Sequence, residues 1–302
     1  MPLSNGAPSG LTGMLRQRFA AQRVLVVVAG QGVTCAWSSQ GHWMWLHAVW
    51  PDGACQEGIP QQPEAMADLV ADLLLDAGIF GAHVELLLPL ELCDWRVVDD
   101  VEVVTRAELD TTLMDGLPWS FEANDCYVST SNCFDSLLTV GVSRSGLQAW
   151  IDLFELADLR LNRVDWLLSA AWRGLQKIQA FDHSDVAWLL SHQQQQRLVL
   201  LRHGIPEADL SLGQNVEKSW LSANRLIEAW QEIKGSSSGF QWRLTVPPPL
   251  RDQLASLAGQ SSEEICSDLS AYQDLRPFDS MQEPDMLDPL VSLGLIGLGL
   301  ER

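Results

Sequence analysis

Residues 24–34, VLVVVAGQGVT, decide how the rest of the chain is read. The β-branched run from Arg23 to Ala29 has the composition of a buried strand. Gly30, Gln31 and Gly32 interrupt it with a tight turn before a second run starts at Val33. Gly41 marks another turn, and the tryptophan-rich residues 43–50 read as a third strand. The expected unit is a meander of three antiparallel strands.

Outward from the meander, Pro63 stands at a helix start and Gly78 at its end, with Met66, Leu69, Val70, Leu73, Leu74 and Ala77 on one face. Residues 83–90, HVELLLPL, are apolar almost throughout, the pattern of a strand covered on both faces. Three strands, a helix and a strand make an α/β half-domain. Thr105 and Glu108 then form a capping box for a helix reaching about Met114, and Pro118 with Trp119 stops it. Residues 125–130 and 137–142 read as strands, and Ser145 as the cap of a helix carrying Leu147, Trp150, Ile151, Phe154 and Leu156. A helix with Leu167, Leu168, Ala171 and Leu175 precedes paired strands at 185–190 and 197–201 around a turn at 193–196. Then come a helix over 216–233, a glycine-serine break at 235–239, a strand at 242–246 and Pro247, Pro248 and Pro249.

Bulk properties narrow the function classes. The 302 residues are enough for two lobes with a core in each, and 47% apolar with 19% charged residues is a globular composition. Lys and Arg number 19 against 39 Asp and Glu, a formal net charge of -20. That balance repels phosphate backbones and argues against nucleic acid, while a basic peptide is the natural partner. The six cysteines have neither C-x-x-C spacing nor a histidine at ligand distance, so they read as reduced thiols and not as a zinc or disulfide framework. Residues 1–13 lack the apolar core of a signal peptide and read as a loose tail. The longest uncharged apolar stretch, 289–300, is too short to span a bilayer as a helix.

The order of these elements resembles PilM, the actin-like protein of type IV pilus assembly, and its relatives of the MshI and GspL type. The likeness lies in residues 108–127 (ELDTTLMDGLPWSFEANDCY), in residues 137–175 with Trp150, Phe154, Val164 and Asp165, and in the closing PLVSLGLIGLGLER of 289–302. It implies an actin-like, ribonuclease H-like α/β fold of two lobes. Residues 1–18 are then a tail, 19–180 a first lobe with a small inserted module at about 97–163, and 181–302 a reduced second lobe. In that superfamily two hairpins wrap nucleotide phosphates, and an acid in each arranges the metal, since Mg²⁺ prefers hard oxygen ligands.

Here the resemblance places Val27 or Val28 on the first acid and Leu190 on the second. His192 falls on a glycine of the second hairpin, and Pro247 to Pro249 on the turn that packs against adenine. Gly30, Gln31 and Gly32 are thus a vestigial phosphate loop or simply a hairpin turn, and the hairpin turn is the preferred reading. The function implied is a non-catalytic cytoplasmic scaffold, peripheral to the inner membrane through a PilN-like bitopic partner. That partner's N-terminal peptide would dock in a groove near the segment between Glu108 and Trp150. An active ATPase or small-molecule kinase of the same superfamily is the alternative. Asp182, His183, Ser184 and Asp185 read as a solvated turn, and Asp99, Asp100 and Glu102 as a charged linker. Trp43, Trp45 and Trp50, among 13 tryptophans, read as sheet packing or as a docking row.

Overall fold

The computed structural model describes residues 22–99, 125–133, 136–178, 185–193, 195–234, 240–259, 275–278 and 287–299. The opening meander is β1 (Arg23–Val28), β2 (Gly32–Ser39) and β3 (His42–Val49), each antiparallel to the next. Every residue of β1 after Arg23 is buried, so its valines fill both faces of a covered strand, where their stiffness at χ1 costs little. Trp45 and Trp50 are buried in this half and Trp43 is half-buried against the same core. A small ribbon of β4 (Cys55–Gln56) and β5 (Ile59–Pro60), not anticipated from sequence, leads into α1 (Pro63–Asp76). Proline opens this helix, and Met66, Ala67, Val70 and Leu74 bury its inner stripe. β6 (His83–Leu88) follows parallel to β1.

A 3₁₀ turn at Leu90–Leu92 opens a small module. Its three-stranded sheet, in the order β7-β9-β8, consists of β7 (Cys93–Asp99), β8 (Cys126–Cys133) and β9 (Ser136–Ser143). Asp99, expected in a linker, instead ends β7 opposite Ser136, and the module sheet begins at Cys93. The Ser143 hydroxyl accepts the Gly146 amide at 3.1 Å and caps α2 (Arg144–Leu156). Ser145, the cap expected from sequence, donates its hydroxyl to Asp125 Oδ2 at 3.1 Å. β10 (Arg160–Trp166) returns the chain to the first sheet, parallel to β6. The capping box at Thr105 and Glu108, the Pro118-Trp119 stop, Asp100, Glu102, and Asp182 to Ser184 all lie outside the described residues.

Helix α3 (Leu167–Ile178) leads to a second sheet in the order β13-β12-β11-β14. Its strands are β11 (Val186–His192), β12 (Gln195–Arg202), β13 (Ile205–Gly213) and β14 (Gln241–Thr245). The arrangement repeats the first: an antiparallel meander, then a strand parallel to its first member. Helices α4 (Val216–Lys234) and α5 (Pro248–Ala258) flank β14 in sequence. Among the described residues this sheet has four strands where the first has six in the order β10-β6-β1-β2-β3-β15. The sixth, β15 (Leu275–Pro277), pairs with β3, so these residues join the first sheet although the sequence reading grouped them with the second lobe.

The last helix, α6 (Pro289–Leu298), has all ten residues buried, as a helix apolar on every side must. It packs on α3 with backbones in contact: a Cβ on Gly297 would strike the Ala170 carbonyl, and one on Gly174 the Leu293 carbonyl. Arg23 and Lys177 donate to the carbonyls of Leu298 (3.0 Å) and Ile296 (3.2 Å), placing cations at the negative end of the helix. α6 also touches β1 and β11, and one hydrophobic core joins Val26 and Leu87 of the first sheet to Trp188 and Leu190 of the second.

Candidate functional site

Two places among the described residues bear on ligand binding. The first is where the β1–β2 and β11–β12 hairpins point at each other. Gly30 and Gln31 form the first tip, closed by the Ala29 amide donating to the Gly32 carbonyl at 3.0 Å. Trp50 takes two of the neighbouring carbonyls, its amide bonding Gln31 O at 2.9 Å and its indole Nε1 bonding Ala29 O at 2.8 Å. Neither Gly30 nor Gly32 has a positive φ. What requires Gly32 is close approach: a Cβ there would strike the Ala48 carbonyl and crowd the His47 ring.

The facing tip contains Gln193, in the left-handed region at φ 48°. Its Oε1 lies 3.2 Å from where a Gly30 Cβ would sit, so the two tips meet directly. At the positions matched to acids, Val27 is 2% exposed, and Val28 and Leu190 are fully buried in the core. His192 is buried, with Nδ1 3.0 Å from Asp288 Oδ2, while Asp288 Oδ1 accepts the Leu290 and Val291 amides and caps α6. Pro247 caps α5, and the two following prolines open that helix. At the positions that the sequence reading matched to the acids, apolar side chains stand buried, and the two hairpin tips are in contact. Among the described residues no group of three or more His, Cys, Asp or Glu could hold a metal ion.

The second place is a groove between the module and the first sheet, with a volume of about 430 Å³. One wall is module sheet, with Tyr127, Val128, Ser129 and Ser131 from β8 and Val140 and Val142 from β9. The other is Arg163, Val164, Asp165 and Trp166 at the end of β10, with Ser169 and Arg173 from α3; Leu88, Cys93 and Leu147 also line it. Three consecutive residues of β8 and four of β10 border the groove, which happens when a strand presents its edge and not a face. Among the described residues β8 is bonded only to β9 and β10 only to β6, so each ends its sheet there.

The walls are held rigidly. Trp166 Nε1 donates to Pro89 O at 3.1 Å, and its ring meets Trp95 of β7 edge-on with centroids 5.3 Å apart, while Trp95 meets Trp172 of α3 at 6.4 Å. These indoles fasten the module sheet to the first lobe. Asp165 Oδ2 accepts from Arg163 (2.7 Å) and from Arg173 (2.6 Å), and Arg173 also donates to Ser169 Oγ at 3.0 Å. Burial pushes the Cys93 thiol well up, and the Asp165 carboxylate adds to the shift. Of the segment expected to form a groove, between Glu108 and Trp150, the residues from Tyr127 to Leu147 do so, and 108–124 lie outside the described residues. The wall from Arg163 to Arg173 was not expected; Arg163 and Asp165, two apart on one strand, were its only local signal.

No family model and no curated protein matches the chain. Solved structures do match. The PilM-PilN type IV pilus biogenesis complex aligns with a TM-score of 0.68 at 15% identity, over 93% of this chain and 99% of that one. The cytoplasmic domain of EpsL, an inner membrane component of the type II secretion system of Vibrio cholerae, gives 0.52 at 12% identity over 93% and 96%. A Bacteroides thetaiotaomicron protein with actin-like ATPase fold gives 0.51 at 9% identity over 93% and 96%. The fold is that of the actin-like ATPases. In this actin-like chain the facing hairpins are the elements expected to hold nucleotide, and the groove lies outside the cleft between them. No helix among the described residues is long and apolar enough to cross a membrane.

Proposed function

We propose that this chain is a non-catalytic scaffold of a type IV pilus or competence assembly platform, acting at the cytoplasmic face of the inner membrane through a bitopic partner. Its task is to hold the N-terminal cytoplasmic peptide of a PilN-like protein in the groove between β8 and β10. The observation that carries this reading is the groove itself, a channel bordered by two sheet edges and lined by both apolar and charged side chains. An extended peptide satisfies such an edge through main-chain hydrogen bonds and gains specificity from alternate side chains. The likeness to a PilM-PilN complex supports the same partner class. The apolar residues at 27, 28 and 190, and the contact of the hairpin tips, support the non-catalytic part.

Calorimetric titration of the full chain tests both parts. A synthetic peptide copying the cytoplasmic N-terminus of the PilN-like partner is expected to bind, and Val128→Trp, which fills the groove from β8, to weaken it at least about tenfold. Mg-ATP is expected to give no saturable heat. Saturable Mg-ATP binding with turnover would favour the ATPase or kinase alternative and overturn the scaffold reading.

A further inference from the structure

The formal charge of -20 leads one to expect a basic partner. The groove has the opposite local balance. Among the described residues its charged lining consists of Arg163, Arg173 and Asp165, two cations to one anion. Both guanidiniums share the single oxygen Asp165 Oδ2, and the other oxygen accepts the Trp166 amide at 2.9 Å. That carboxylate therefore has little capacity left. Arg163 is 47% exposed on its edge strand and spends one of its five N–H groups on Asp165. At the rim a further arginine, Arg144, lies 4.7 Å from the centre of the Tyr127 ring and donates to the Cys126 carbonyl at 3.1 Å. Apolar side chains, among them Leu88, Val128, Val140 and Val142, surround this polar spot.

We infer that the groove selects an extended peptide segment carrying an aspartate or glutamate side chain, which pairs with Arg163 while neighbouring apolar side chains fill the Val128–Val140–Val142 wall. The inference rests on the peptide-docking reading above and adds the chemistry of the docked segment. An incoming carboxylate brings the groove to two charges of each sign and matches the planar guanidinium fork, whereas a lysine would place a third cation there. Main-chain pairing along β8 or β10 supplies affinity without regard to sequence, so the charged position decides which segment stays.

The test uses peptides of about eight residues, the length of chain that lies along a strand of this size, acetylated and amidated so that only side chains carry charge. They alternate Val and Ser, with Asp, Asn or Lys at the centre. Fluorescence anisotropy is read against the full chain, Arg163→Gln and Arg163→Glu. The Asp peptide is expected to bind about tenfold tighter than the Asn peptide and tighter still than the Lys peptide, with the advantage falling as salt is raised. Arg163→Gln should flatten the series and Arg163→Glu should reverse it. Equal binding of all three peptides to the unaltered chain, or an unchanged order in Arg163→Gln, overturns the inference. If Arg163→Glu fails to fold by circular dichroism, Arg163→Gln alone decides. Should no model peptide bind while the partner's own segment binds and is blocked by Val128→Trp, charge selection is overturned and docking stands. If that segment also fails to bind, the docking reading falls and takes this inference with it.

Discussion

Two clefts among the described residues differ in almost every physical respect. Between the lobes, the β1–β2 and β11–β12 tips are in contact, the acid positions hold buried apolar residues, and α3 and α6 join both sheets into one core. Between the module and the first sheet, two strand edges border an open groove whose charged residues are only partly satisfied by one another. A fold's inherited cleft and the cleft where a given chain can bind need not coincide, because function follows the chemistry of the site and not the architecture.

The comparison can be broken most forcefully at the sealed side. Gly297→Leu drives a side chain into the Ala170 carbonyl, where backbone and not a mobile side chain must yield. It is expected to destabilise the chain by about 3 kcal/mol or more in urea titration, and both lobes should unfold together. A smaller contrast lies at the first hairpin. Gly32→Ala meets the Ala48 carbonyl and should cost about 2 kcal/mol, whereas Gly30→Ala meets only the end of the Gln193 side chain and should cost less than about 0.5 kcal/mol. Equal costs would mean that Gly32 is not held by its close approach to the Ala48 carbonyl.

The mildest test compares thiols in the two regions by pH. Burial pushes Cys35 up to about 12 and Cys55 to about 11 from the ordinary 9.0, and raises Cys93 in the groove well above that value. For each, the folded chain holds a proton that the unfolded chain releases, so the stabilisation is complete below pH 9 and is lost as pH rises towards the folded values. Each such thiol should contribute a fall of about 1.4 kcal/mol per pH unit in that window. Replacing Cys35 by alanine should flatten the alkaline arm of a thermal-unfolding profile, and peptide binding should slow alkylation of Cys93 but not of Cys35.

How much of this was legible in the sequence depended on whether the signal was local. β1 to β3 and α1 were readable because a β-branched run broken by glycine and a proline-led apolar stripe are determined by neighbouring residues. β10 was not, since RLNRVDW carries Arg163 and Asp165 where a plain strand would carry apolar residues, and those two belong to the groove. β7, the polar edge strand β13 and the three-residue β15 were missed for a related reason: sheet partners far along the chain hold them, not their own periodicity. The resemblance placed a groove near Glu108 to Trp150, but only the fold could bring Arg173 of α3 to its other wall. At the first turn the glycines were read as a hairpin turn, and the structure gives a specific reason for one of them. Gly32 is required by a neighbouring carbonyl and not by a left-handed backbone.

The placement of α6 also has a consequence for biosynthesis. Residues 289–298 lie between the two sheets and cover α3, and β15, just before them in sequence, pairs with β3 near the other end of the chain. A ribosome delivering this protein from its N-terminus therefore releases most of both lobes before the piece that closes their shared core has been made. The first sheet must wait with one flank of α3 uncovered, the high contact order slows the final closure, and the interval before it is when the chain is most exposed to aggregation.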